Sequence, residues 1–296
     1  MYEEKYVLHF TNSIRGLTSW TNQNYLKKVK KKSLQHSGNS WNICGYKPIL
    51  IMVIAAIVSI ALSFAALSIL KIDPRSSTLM NLILAAVTII ILILSIYIGN
   101  RLIYKIPFST QVAPVRKWNW GIYIKAFIIA SIVYGIIMSY NFLASGAKIT
   151  NNLPIALVLL CLILPIFQGF GEEFLCRGLL MQTFGSWFKI PIVAIILQAA
   201  IFAVLHPYQL FSLISVLCTG LVYGLITWYG QGLETSSAMH AVNNIASFLA
   251  IGFGLQQGAG GNGSDPIALL INVVIVVIPV IIVLVLDKFN LMGFDS

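Results

Sequence analysis

Glu172 and Glu173 in GEEFLCRG, His206 in FAVLHP and His240 in HAVNN stand inside long apolar stretches of a chain in which only 9% of residues are charged. An ionisable side chain at membrane depth is costly, so its presence there reads first as function. Two adjacent carboxylates, two histidines and the amide of Asn244 could supply a general base and a clamp on an oxyanion. The chemistry they suggest is hydrolysis within a membrane.

The spacing divides the labour. Glu173 and Arg177 are four residues apart, share a helix face and can pair. Glu172 points about 100° away and is left free for chemistry. Phe202 and His206 share a face of the next helix, and His240 and Asn244 share one two helices later. The written pattern is EExxxR, then FxxxH, then HxxxN.

Those residues need elements to hold them. A mean hydropathy of +0.88 and 58% hydrophobic residues exclude an ordinary soluble domain. Runs such as 49–70 and 82–98 have the length of a spanning helix rather than a barrel strand, and lipid tolerates only helices or closed barrels. The expected fold is all-α, a polytopic bundle of about eight transmembrane helices: 48–70, 79–103, 120–142, 153–180, 190–206, 210–229, 235–253 and 266–286. Residues 1–46 are expected to form a polar, basic cytoplasmic tail, with an interfacial helix or a disordered segment both open. Residues 47–290 form the membrane domain, with the motifs in 153–249. The tail lacks a hydrophobic signal core. Cys44, Cys161, Cys176 and Cys218 show no ligand spacing and imply no disulfide framework.

Charge sets the orientation. The formal charge of +10 would suggest nucleic acid in a soluble protein. Here the basic residues flank membrane segments, and the run 27–32 (KKVKKK) suits anionic lipid headgroups. With the N-terminus inside, one set of flanks collects the eight positives up to Lys47, then Arg101, Lys105, Arg116, Lys117, Lys189 and Lys288. The opposite flanks hold Lys71, Arg75 and Lys148. Both termini are therefore expected in the cytoplasm, with Lys125 snorkelling to that side.

Simple alternation would put Glu172 and His206 at opposite faces. A helix running on past Phe174 to a turn near Trp187–Ile190 resolves this. Each residue then lies roughly 16 residues from the turn, about 24 Å at helical rise, so they return to one depth.

The ordered triplet resembles the CPBP family of intramembrane proteases, which includes type II CAAX prenyl endopeptidases and the Abi-like proteins linked to bacteriocin immunity. The resemblance covers roughly 153–249, where FLCRGLL and GLVYGLITWYG fit as well. It implies an endopeptidase of the bacterial cell membrane that acts on a membrane-associated peptide or protein. By position, Glu172 would activate a water with help from His206, and Glu173 and Arg177 would orient that pair. His240 and Asn244 would stabilise the oxyanion. Glu172, His206 and His240 could also form a Glu/His₂ set for zinc, although no HExxH demands it.

Blander readings stand beside these. Glu173–Arg177 could be a structural ion pair, Phe202 reads as packing, and either histidine could simply bridge helices. Glu234, beside glycines at an inner turn, reads as solvated. At the level of the whole chain, the alternatives are a non-catalytic scaffold or bacteriocin-immunity protein acting by partner binding, and a transporter with a proton relay. The absence of paired broken helices argues against the transporter.

Overall fold

The computed structural model describes residues 47–70, 78–99, 101, 103, 108–114, 116–206, 208–256 and 266–294. The tail 1–46 with its basic run, the turn 71–77 and most of the glycine-rich loop 252–265 fall outside the described residues. Helices account for the expected segments: α1 Lys47–Leu70, α2 Thr78–Gly99, α4 Trp120–Ser145, α5 Ile155–Phe188, α6 Pro191–Val204, α7 Leu210–Gly230, α8 Glu234–Gly252 and α9 Pro266–Lys288. A short helix that hydropathy did not flag, α3 Phe108–Val112, precedes α4. Among the described residues there is no strand. The all-α polytopic bundle stands.

Among the described residues α4, α5, α7 and α9 are long and apolar enough to cross a membrane. α6 has 14 residues, about 21 Å at helical rise and short of a bilayer core of about 30 Å. The connection that follows it carries His206, whose Nε2 lies 4.0 Å from Glu172 Oε2. α8 is too polar to span by composition, with Glu, Thr, two Ser and His in its first seven residues. Its solution is protein rather than lipid: every residue from Glu234 to Val242 is buried. α8 packs against α5, α4, α7 and α2, so it occupies the middle of the bundle.

Local chemistry explains the ends. Asn119 caps α4, its Oδ1 accepting from the Gly121 and Ile122 amides. The α5–α6 hairpin turns at Lys189, whose backbone is left-handed at φ 58°, and Pro191 opens α6, where a missing N–H costs nothing. Lys125 Nζ donates to the Leu291 carbonyl at 2.7 Å, and Tyr229 Oη donates to Asp287 at 2.7 Å. These contacts gather the start of α4 and the ends of α7 and α9 at one end of the bundle.

Two features of α5 bear on the site. Pro165 lies inside the helix, and the turns over Phe174–Met181 are wound as a π-helix before α-geometry resumes at Gln182. Wide turns of this kind concentrate at functional sites. Glu172 and Glu173 are the last α-helical residues before it. Close backbone approach then brings the other helices in. A Cβ on Gly169 would lie 2.8 Å from the Ala241 nitrogen, and one on Gly220 would lie 2.9 Å from the Ala199 Cβ. Glycine at these two points lets α8 meet α5 and α7 meet α6 without a side chain between them.

Candidate active site

Glu173 is fully buried and its Oε1 is shared. It accepts from Arg177 Nη1 at 2.9 Å and from His240 Nδ1 at 2.7 Å. The i,i+4 pair expected from the sequence therefore exists, and it reaches a third member on α8. Arg177, also fully buried, donates from Nη2 to the Gly220 carbonyl at 2.9 Å. Its guanidinium lies 5.0 Å from the Phe202 ring centroid and 5.8 Å from that of Tyr223. A weakly hydrated cation between two π faces is compensated where water is scarce. Gln198 adds a second donor to the Gly220 carbonyl, at 2.9 Å.

Glu172 keeps 8% of its surface exposed. Its Oε2 lies 3.4 Å from His240 Nε2 and 4.0 Å from His206 Nε2. Side chains from α5, from α8 and from the loop after α6 thus meet at one carboxylate oxygen. The α5–α6 hairpin produces this, because both residues sit about the same distance from the Lys189 turn.

Hydrogen bonds fix which nitrogen of each ring faces Glu172. His206 Nδ1 is 2.7 Å from the Phe202 carbonyl, which can only accept, so Nδ1 carries a hydrogen. His240 Nδ1 points at the Glu173 carboxylate, which likewise accepts when ionised. Both rings therefore turn Nε2 toward Glu172 Oε2. The Phe202 ring packs edge-on against both, at centroid distances of 4.7 Å to His206 and 5.8 Å to His240. It is packing, as its type suggests, and it separates and aims the two imidazoles.

Asn244 lies one turn beyond His240 and is half-buried. Its Oδ1 accepts from Asn243 Nδ2 at 3.1 Å, and Asn243 Oδ1 in turn accepts from Tyr134 Oη at 2.9 Å. The structure therefore joins Asn244 to a Tyr134–Asn243 chain rather than directly to Glu172 or the histidines. Its own NH₂ group is left to donate.

Zinc bonds of about 2.0–2.2 Å to nitrogen and oxygen would set ligands about 3.3–3.6 Å apart in a tetrahedron. The 3.4 Å separation suits this and the 4.0 Å one does not. No group of three or more His, Cys, Asp or Glu among the described residues is arranged to hold an ion. The Glu/His₂ set does not fit a metal as it stands.

Other participants escaped the sequence reading. Gln168, one turn before Glu172, donates from Nε2 to Glu172 Oε1 at 3.0 Å. Its signal was present, an amide in the apolar run ILPIFQGF. Tyr208 places its ring 5.3 Å from that of His206, and nothing in HPYQL foretold it. Glu234 is a correction. Read as solvated, it is fully buried, held bidentately by Arg116 with Nη2–Oε2 at 2.8 Å, and its Oε1 accepts from the Asn119 amide at 2.9 Å. The segment before α4 folds back over the α7–α8 turn, and local sequence around Glu234 carries no trace of a partner 118 residues away.

Residues 154–246 match the family described as Type II CAAX prenyl endopeptidase Rce1-like. That span holds every candidate residue named from the sequence. The chain is also 29% identical over 182 residues to the uncharacterized protein YyaK of Bacillus subtilis (strain 168), across 57% of this chain. It spans 61% of that relative's length. No solved structure matches it.

Proposed function

We propose, from the match of residues 154–246 to the Type II CAAX prenyl endopeptidase Rce1-like family, that this integral membrane protein hydrolyses a peptide bond of a membrane-associated peptide or protein. The observation that carries the reading is the meeting of Glu172 Oε2 with two imidazole Nε2 atoms at 3.4 and 4.0 Å. A water lodged between Glu172 and His206 loses its proton to the carboxylate as it attacks the scissile carbonyl. His206 holds that water through the Nε2 lone pair, because Nδ1–H is committed to the Phe202 carbonyl. Glu173 and Arg177 act on His240 rather than on the Glu172–His206 pair.

His240 stabilises the oxyanion by donating from Nε2. Since Nδ1–H is spent on Glu173, that donation requires the imidazolium, and Glu173 supplies the balancing charge. The Asn244 NH₂ is the second, pH-independent donor. Protonated Glu172 then passes its proton to the departing amine. No step passes through a metal.

The cytoplasmic half of a bacterial cell membrane, with both termini inside, is the setting the Lys/Arg distribution supports. The basic tail would rest on anionic lipid. A prenylated CAAX tail is one substrate, and an unprenylated membrane peptide is another. The deciding experiment compares the purified chain with Glu172→Ala on a panel of membrane-tethered fluorogenic peptides, farnesylated and not. Cleavage by the natural chain alone supports the proposal. Equal cleavage by both, or none by either, overturns it in favour of a binding protein.

A further inference from the structure

We propose that Gln168 is a positioning residue of the site, its amide holding Glu172 so that Oε2, and not Oε1, faces the two histidines. Its effect on turnover rests on the hydrolytic reading above, whereas the hydrogen bond does not.

The carboxylate of Glu172 has two oxygens and several rotatable bonds, and a general base must present one oxygen at a fixed place. Oε2 has the imidazoles before it. Oε1 accepts from Gln168 Nε2 at 3.0 Å. An ionised carboxylate only accepts, so the amide orientation is dictated: nitrogen toward Glu172, oxygen away. The groups facing Glu172 are then His206 and His240 on one side and Gln168 on the other, each from a different direction.

Packing does not explain this glutamine. It is 9% exposed in a stretch of leucine, isoleucine and phenylalanine, and its Oε1 is buried with no partner among the described residues. A half-satisfied amide in such a place is worse for stability than Met or Leu of similar size. The neighbouring residue locks the geometry. At Gly169 the backbones of α5 and α8 touch, so Gln168 and His240 are held at a set distance on either side of Glu172.

The test uses full-length protein in lipid nanodiscs, as the natural chain, Gln168→Met and Gln168→Leu. Infrared difference spectra against Glu172→Gln isolate the Glu172 carboxylate band. Thermal unfolding and cleavage of a farnesylated fluorogenic CAAX peptide are measured alongside. Loss of the donor should move the carboxylate band, and Gln168→Met should lower kcat on the order of 10²-fold with little change in KM. Its melting temperature should be equal or higher, which a merely structural residue would not show. An unmoved band, unchanged kcat, or a melting temperature that falls together with kcat would overturn the assignment. Should Gln168→Met fail to fold, Gln168→Leu decides by the same readings. A natural chain inert on the peptide while the band still moves would sink the hydrolytic reading and leave the positioning role standing.

Discussion

Among the described residues two Arg–Glu pairs, each with a fully buried glutamate, hold this bundle, and their surroundings differ. Arg116–Glu234 is saturated: two guanidinium nitrogens meet both carboxylate oxygens, Arg116 also donates to the Gly230 carbonyl at 3.0 Å, and the Asn119 amide completes Glu234. Arg177–Glu173 is left open. One guanidinium nitrogen meets one oxygen, the same oxygen holds His240, the Ser236 hydroxyl also reaches the Glu173 carboxylate, and Arg177 Nε is buried without a partner among the described residues. Burying charge is tolerated only when pairing and hydrogen bonds replace water. The first pair meets that condition fully and clamps the α7–α8 turn to the segment before α4. The second falls short of it and shares its carboxylate with His240, an imidazole that faces Glu172.

That contrast can be broken by experiment. The largest effect should come from Glu172→Gln, which keeps the shape but cannot take a proton. Turnover should drop by about 10²–10⁴-fold with the melting temperature intact, and near-normal cleavage by purified protein would end the general-base assignment. Next is Arg177→Met. It leaves Glu173 and its partner histidine in a buried site without the cation, at a cost of about 3–5 kcal/mol. Both chemical stability and turnover should fall, read by denaturation and by activity per folded molecule.

Asn244→Ala sharpens the picture at a lower level. Loss of one oxyanion donor costs on the order of 10²–10³ in kcat, with KM less affected. An equal change in KM alone would make Asn244 a binding residue, or a structural one through Asn243 and Tyr134. The smallest effect belongs to the clamp. Glu234→Gln keeps an acceptor and loses the charge, so stability should fall by about 1–3 kcal/mol, with activity per folded molecule unchanged. A selective loss of kcat there would mean that the clamp sets the position of His240, six residues along α8, and that the two pairs are one system. Thiol labelling at Ser76 and Asn262 tests the orientation separately. Both should react from outside.

Local and periodic features were legible in the chain. Eight helical segments followed from runs of apolar residues, because a backbone in lipid must satisfy itself within its own segment. The Glu173–Arg177 pair followed from a four-residue spacing on one helix. Even the meeting of Glu172 with His206 followed from equal distances to a turn, since helical rise is constant. Gln168 is an amide one turn from a carboxylate, but its type alone suggests no reaction, so its role is not legible without the partner oxygen.

The rest depended on contacts between distant segments. Hydropathy presents α8 as a polar, marginal helix; burial among α5, α4, α7 and α2 is what makes its polarity affordable and places His240 against Glu173. The sequence names two histidines but not which ring nitrogen each turns inward. That is decided by a backbone carbonyl at Phe202 and a carboxylate on another helix. Glu234 reads as solvated from its glycine neighbours and is buried because Arg116 arrives from 118 residues away. By itself the sequence determined the eight long helical segments and the residues able to do chemistry, because period and spacing act within one segment. The tertiary structure alone decided which charges are closed off and which stay open, because hydrogen-bond partners in a bundle are supplied across helices.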